Sequence, residues 1–258
     1  GKELRGDENV VTTDYEHYAN LSPWLELKRR NLVKDVRLAK LSIEDGTLNL
    51  DHLERLIDEN TRVVTVSAAS NVLGSRTSLE AVSRRAKEAE AYFIVDSVHH
   101  IAHGPMDVQA IGCDFLVFSG YKLFSPHGSF MYGRREPLEE LKPYKVKTSP
   151  EHPPESWEWG TRDQAMFAAI SGVVEHIEWL GSTVEGGVKL SELSRYLGRP
   201  RRLKAAMYAI EEYERGLSRA ILAGIGDIPG LSEMPHVKVY GLTNLGRLAE
   251  RDPTFSFE

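Results

Sequence analysis

An acid and an amine at the ends of two short apolar runs are the side chains in this sequence best placed to do chemistry. Asp96 closes a run over residues 92–95, and Lys122 lies just past another over 115–118, 26 positions after the acid. Both runs are rich in Val, Phe and Ile and read as fully buried strands. The carboxyl ends of such strands face the crevice where open α/β sheets bind ligands. Pyridoxal phosphate needs this pair: a lysine to form a Schiff base and an acid against the ring nitrogen. The lysine must be unprotonated for part of such a cycle, so its surroundings have to favour the neutral amine. Lys122 lies between Phe118 and Phe124 in a Gly-containing turn, a setting expected to shield it. Asp96 lacks obvious basic neighbours in sequence and would need a cationic partner such as a pyridinium. Taken alone, a lysine after a strand is ordinarily a surface residue and an aspartate there a helix cap. The argument rests on both together with the motifs around them.

The elements that must position the pair alternate. Strands are expected over 9–13, 36–43, 62–67, 92–95, 115–118 and 129–132. Between them lie a helix opened by Ser22-Pro23-Trp24, a helix capped by Asp51, and a helix over 79–89 capped by Ser78. Strands alternating with helices predict βαβ units and a mostly parallel sheet flanked by helices. An apolar helix follows over 164–180, and a longer helical pattern over 201–222. Residues 236–240 and 254–257 read as further strands. This gives a large α/β domain over 1–181, a linker over 182–200 and part of a smaller α+β domain over 201–258.

Bulk properties narrow the function classes. The chain has 258 residues, 41% hydrophobic and 27% charged, with a net charge of −6. An acidic chain with its charges mixed argues against nucleic acid as the main partner. The basic clusters at 28–30 and 199–204 read as solvated helix faces or linkers. No apolar stretch approaches the roughly 20 residues needed to span a bilayer. No secretory signal opens the chain, and one cysteine allows neither a disulfide framework nor a cysteine zinc site, so a cytoplasmic setting is expected. Cys113, entering a buried strand, reads as a core thiol. No Gly-x-Gly-x-x-Gly follows the first strand, which argues against a nicotinamide dehydrogenase.

Five motifs make the reading specific: EHYANLSPW (16–24), SNVLG (70–74), VDSVHHIAHGPMDVQAIGCDF (95–115), FSGYKLFSPHG (118–128) and WEWGT (157–161). In order and spacing they resemble the class V aminotransferase family of pyridoxal-phosphate enzymes (fold type I), in particular its cysteine desulfurase-like branch. The resemblance implies that Lys122 is the Schiff-base lysine and that Asp96 meets the pyridine nitrogen. It implies that His17 stacks on the cofactor ring and that Asn71 lies near the ring hydroxyl. Ser119 would bind the phosphate, and Thr161 would reach the phosphate of a partner subunit, which implies a homodimer. The substrate implied is a small amino acid. The outcome would be desulfuration by C–S lysis, transamination or related Cα chemistry.

Departures from the family pattern matter. Desulfurases usually carry Gln three residues after the aspartate, where this chain has His99. They usually read Ser-x-His-Lys, where this chain has Ser119-Gly120-Tyr121-Lys122. A Tyr121 hydroxyl can still donate to phosphate, without a positive charge. With Pro143-Tyr144-Lys145, these features are closer to a sub-branch of desulfurase-like proteins of uncertain reaction. The family's phosphate loop is expected upstream of Gly1, and its nucleophilic cysteine and carboxylate-binding arginine beyond Glu258, so a fragment of a longer protein is expected. The alternative is a non-catalytic relative serving as a binding or regulatory partner.

Overall fold

The structure, a computed structural model, describes residues 4–158 and 160–258, with the backbone alone for residue 190. Trp159 of WEWGT and residues 1–3 lie outside the described residues. The alternation expected from the sequence is present. β1 (Asn9–Thr13) leads through α1 (Tyr18–Arg29) to β2 (Asp35–Ala39), and α2 (Leu50–Leu56) leads to β3 (Thr61–Ser67). α3 (Leu79–Glu88) precedes β4 (Tyr92–Asp96), and the short α4 (Val108–Ile111) precedes β5 (Phe115–Ser119). β6 (Ser129–Gly133) then pairs antiparallel with β5. The sheet order is β2-β1-β3-β4-β5-β6, with all other neighbours parallel.

The inner strands β1, β3 and β4 are largely buried, as a helix-covered parallel sheet requires, while the edge strands β2 and β6 keep exposed positions. Val11, Val64, Val66, Phe93, Val95 and Leu116 meet Leu53, Val82 and Ala86 of α2 and α3 on one side. Val10, Val36 and Val63 meet Trp24 and Leu25 of α1 on the other. Beyond the sheet come α5 (Arg135–Glu140), α6 (Gln164–Val184), α7 (Leu190–Leu193) and α8 (Gly198–Ala223). α6 packs along α8, where Ile177, Ala206 and Met207 form a cluster with Ala102 and Leu123. Gly181 allows this approach: a Cβ there would run into the backbone of Arg202. β7 (Val239–Tyr240) and β8 (Ser256–Phe257) pair antiparallel at the end of the chain. Residues 182–200 hold the end of α6, a 3-10 turn, α7 and the start of α8.

Two helix starts differ from the sequence reading. α1 begins at Tyr18, so Pro23 lies inside it and Ser22 is not its cap. The cap is His17, whose Nδ1 accepts the Ala19 N–H at 3.2 Å. α2 is capped by Asn49, whose Oδ1 accepts the His52 N–H at 2.8 Å, while Asp51 sits in the first turn. In both cases a side chain a few residues upstream reached the free amides first.

The sheet order fixes where a ligand can go. The chain leaves β1 toward β2 on one side and returns to β3 on the other, so β1 and β3 flank a switch point. Their carboxyl ends open a crevice there. The loop after β3 is in turn gripped by the end of the chain. Asp252 N–H donates to the Gly74 carbonyl at 2.8 Å, and Ser256 Oγ donates to the Val72 carbonyl at 2.6 Å. Gly74 has φ +74°, and a Cβ on it would stand 2.6 Å from the Asp252 oxygen and 2.8 Å from the Thr254 oxygen. Gly74→Ala combines backbone strain with overpacking and is expected to destabilise the fold by about 2 kcal/mol. Urea denaturation measures this, and an unchanged midpoint would contradict the account of the grip.

Candidate functional site

The carboxyl ends of β1, β3, β4 and β5 surround one cleft of about 210 Å³. His17 follows β1. Ser67 and Ala69 end β3, and Asn71 sits in the loop beyond. Asp96 ends β4, with Val98 and His99 just after it. Ser119 ends β5, and Tyr121 and Lys122 occupy the following 3-10 turn. Seven of the eight residues singled out from the sequence therefore line a single opening, although up to 105 positions separate them. The eighth, Thr161, is exposed before α6 and does not line this cleft.

Asp96 is the electrostatic centre of the cleft. It is 8% exposed. Its Oδ1 accepts the Val98 N–H at 2.9 Å. Burial raises its pKa, offset in part by that bond and by His17, among the described residues the one side chain whose charge bears on it. A buried carboxylate so thinly compensated favours a cation brought in from outside. A protonated ring nitrogen meets that need, and so the donor set fits pyridoxal phosphate: an acid below, an imidazole beside, an amine and hydroxyls at the mouth.

His17 is oriented by the helix it caps. Because Nδ1 accepts the Ala19 N–H, a neutral ring carries its proton on Nε2. The turn that holds it is tied to β3 by Glu16. The Glu16 carboxylate accepts from Thr13 Oγ1 (2.7 Å), Asn20 Nδ2 (2.7 Å), Ser67 N–H (3.0 Å) and Ser67 Oγ (2.6 Å). Burial nevertheless raises the pKa of Glu16. On the Asn71 side, Ser70 Oγ accepts the amides of Val72 and Leu73 and shapes the loop.

The lysine differs from expectation. Lys122 is exposed at the rim instead of shielded between Phe118 and Phe124. The 3-10 turn sends Leu123 into the α6–α8 cluster and turns Lys122 outward, while Phe124, at φ +58°, is 76% exposed. Lys122 Nζ lies 5.3 Å from the Tyr121 ring centroid, and that ring stacks on His127. Sequence reasoning assigned no role to Ser67, Ala69 or Glu16. Glu16 stood inside a quoted motif, and its place beside His17 was the available signal. Among the described residues no cluster could hold a metal ion, and no helix is long and apolar enough to cross a membrane.

Sheet order and crevice define a doubly wound α/β protein with its cleft at the switch point. The family follows from comparison: the class-V aminotransferase model matches residues 1–186, and the chain belongs to that family, which is pyridoxal-phosphate dependent. A cysteine desulfurase from Klebsiella pneumoniae (strain 342) is 34% identical over 234 residues, 87% of this chain and 52% of that protein. One from Pectobacterium atrosepticum is 40% identical over 143 residues, 55% of this chain and 35% of the relative. Among solved structures, a cysteine desulfurase from Escherichia coli superposes with a TM-score of 0.73 at 23% identity, covering 100% of this chain and 57% of that one. That likeness shows the fold. The chain spans about half the length of these fuller matches.

The raised pKa of Asp96 makes a prediction about stability. The folded carboxyl keeps its proton to higher pH than the unfolded chain does. Between those two pKa values the folded state binds more protons, so stability falls as pH rises through the window. Asp96→Asn keeps an acceptor for the Val98 N–H and removes this share of the fall. The variant is expected to be more stable than the parent at neutral pH, with a flatter slope above the ordinary carboxylate range. Urea denaturation across a pH series tests this, and parallel slopes would refute it.

Proposed function

We propose that this chain is the cofactor-binding part of a pyridoxal-phosphate enzyme acting on a small amino acid, with chemistry of the cysteine desulfurase kind. The observation that carries the reading is Asp96, a buried carboxylate with almost no cationic compensation, in the same cleft as Lys122. Bound there, pyridoxal phosphate supplies an electron sink for negative charge at the substrate Cα.

The chain's own groups divide the remaining work. Asp96 holds a proton on the ring nitrogen by accepting from it. Lys122 Nζ would hold the cofactor by its aldehyde and, once displaced there by the substrate amine, would move a proton at the substrate Cα. Its place at the rim suits both tasks, since the amine must meet an incoming substrate. His17 would lie over the ring, its orientation set by the α1 cap. Asn71 and His99 serve the ring hydroxyl. Ser119 and Tyr121 donate to the phosphate. Thr161, exposed and away from this cleft, serves the phosphate of a second copy, so the working unit is a homodimer. The division into a large domain over 1–181, a connection over 182–200 and a smaller domain from 201 belongs to the same proposal. The relatives are named for cysteine as substrate, which makes cysteine the first amino acid to test.

Purified protein given pyridoxal phosphate is expected to turn yellow. Borohydride reduction followed by peptide mass spectrometry should place the cofactor on Lys122, and Lys122→Ala should lose both signals while still folding. A colourless parent protein with added cofactor would overturn the enzyme reading and favour a non-catalytic relative.

A further inference from the structure

His99, on one wall of the cleft, is held from behind by a segment far along the chain. Thr254 Oγ1 lies 3.1 Å from His99 Nε2, and Asp252 Oδ2 lies 3.9 Å from the same nitrogen. Asp252 is fully buried. It accepts the Nδ1–H of His100 at 3.0 Å and the Nε–H of Arg76 at 2.7 Å. Arg76 also pairs with Glu211 of α8. His103, whose ring centroid is 5.0 Å from that of His99, meets Glu214 of α8 at 3.0 Å. The loop after β3, the turn after β4, α8 and the segment over 251–256 thus meet in one polar cluster behind the cleft.

We propose that Thr254 is a positioning residue of the cleft: its hydroxyl fixes the rotation of His99 so that Nε2 faces Asp252, whose charge selects the tautomer and which anchors the segment that carries Thr254. The consequence for the cofactor rests on the reading given above, whereas the link from Thr254 to His99 rests on the distances alone.

Neutral imidazole has one donor nitrogen and one acceptor, and a neighbour decides which is which. Burial brings the His99 pKa down to about 4, so the ring is neutral near pH 7. Burial would raise Asp252, but the hydrogen bonds and charges of His100 and Arg76 hold it down to about 2, so it is negative. A negative charge nearest Nε2 favours the proton there. His99 Nε2–H then donates to Thr254 Oγ1, and Nδ1 is left as an acceptor. Such outer partners set ring orientation wherever a histidine has to present one nitrogen and not the other.

The segment itself cannot drift. Besides its bonds to Gly74 and Val72, the Arg251 guanidinium, buried at 3% exposure, donates to the carbonyls of Leu242 and Thr254. The loop it grips carries Asn71. One segment therefore backs two residues on the wall of the cleft, His99 by a hydroxyl and Asn71 by its backbone.

Long-range proton–nitrogen NMR of the histidine rings reads the tautomer directly, without cofactor. In the parent chain His99 is expected as the Nε2–H form. Thr254→Val keeps the shape and removes the hydroxyl. It should shift His99 toward a mixture of tautomers and weaken pyridoxal-phosphate binding, followed by absorbance, by about tenfold, the worth of one hydrogen bond. Thr254→Ser should restore both. An unchanged His99 tautomer in Thr254→Val would overturn the proposal, as would a serine variant that behaves like valine, since packing by the methyl group would then be the cause. A protein that shows the tautomer shift yet never binds pyridoxal phosphate would support the link to Thr254 and remove the cofactor reading.

Discussion

Asp96 is a carboxylate held out of water at the end of a parallel strand, with a single backbone amide to accept from. Ionised buried carboxylates without a partner are costly, and a fold keeps one only where the rest of the structure holds it in place. β4 does so by lying between β3 and β5, so that its final residue reaches solvent only through the cleft. Everything else in the cleft is arranged around that deficit. The imidazole of His17 faces it from β1, and the amine of Lys122 and the hydroxyls of Ser119 and Tyr121 approach from β5.

The switch in strand order gives the cleft its location, and three polar devices give it its precision. Glu16 ties the His17 turn to Ser67 at the end of β3 through four accepted hydrogen bonds. Ser70 folds its own loop under Asn71. Asp252 joins the histidines after β4 to Arg76 after β3. The first and last of these link elements that are neighbours in the sheet and distant in sequence, and the second stiffens a single loop. A cleft built on loops alone would be loose, and these bonds convert the loops into extensions of a rigid sheet.

Polar groups thus serve two different ends. Asp252 is compensated by Arg76 and His100 and is stable as an anion. Asp96, 8% exposed against 0% for Asp252, lacks such partners and is destabilised as an anion. Two buried aspartates with opposite shifts, one satisfied from within and one not, separate a structural acid from one left open to a ligand. The exposed amine of Lys122 and the Ser119 and Tyr121 hydroxyls line the same cleft as Asp96.

Much of this was legible in the chain. The apolar runs ending at Asp96 and before Lys122 marked buried strands, because strands covered on both faces leave no polar alternation to confuse the pattern. Motif order then placed His17, Asn71, His99, Ser119 and Tyr121 at strand ends. Local competition misled the rest. Ser22-Pro23 has the chemistry of a helix start, yet His17 caps α1 first. Phe118 and Phe124 promised a shielded Lys122, but a tight turn can send only some of its side chains inward, and it chose Leu123. The grip of residues 251–256 on the Asn71 loop and on His99 was invisible, since nothing local relates positions more than 150 apart. By itself the sequence determined the strands, the family and the residue types at the cleft, because these depend on short-range pattern. Tertiary structure alone decided which acid stays uncompensated and how each ring is turned, because desolvation and long-range hydrogen bonds exist only once the chain has closed upon itself.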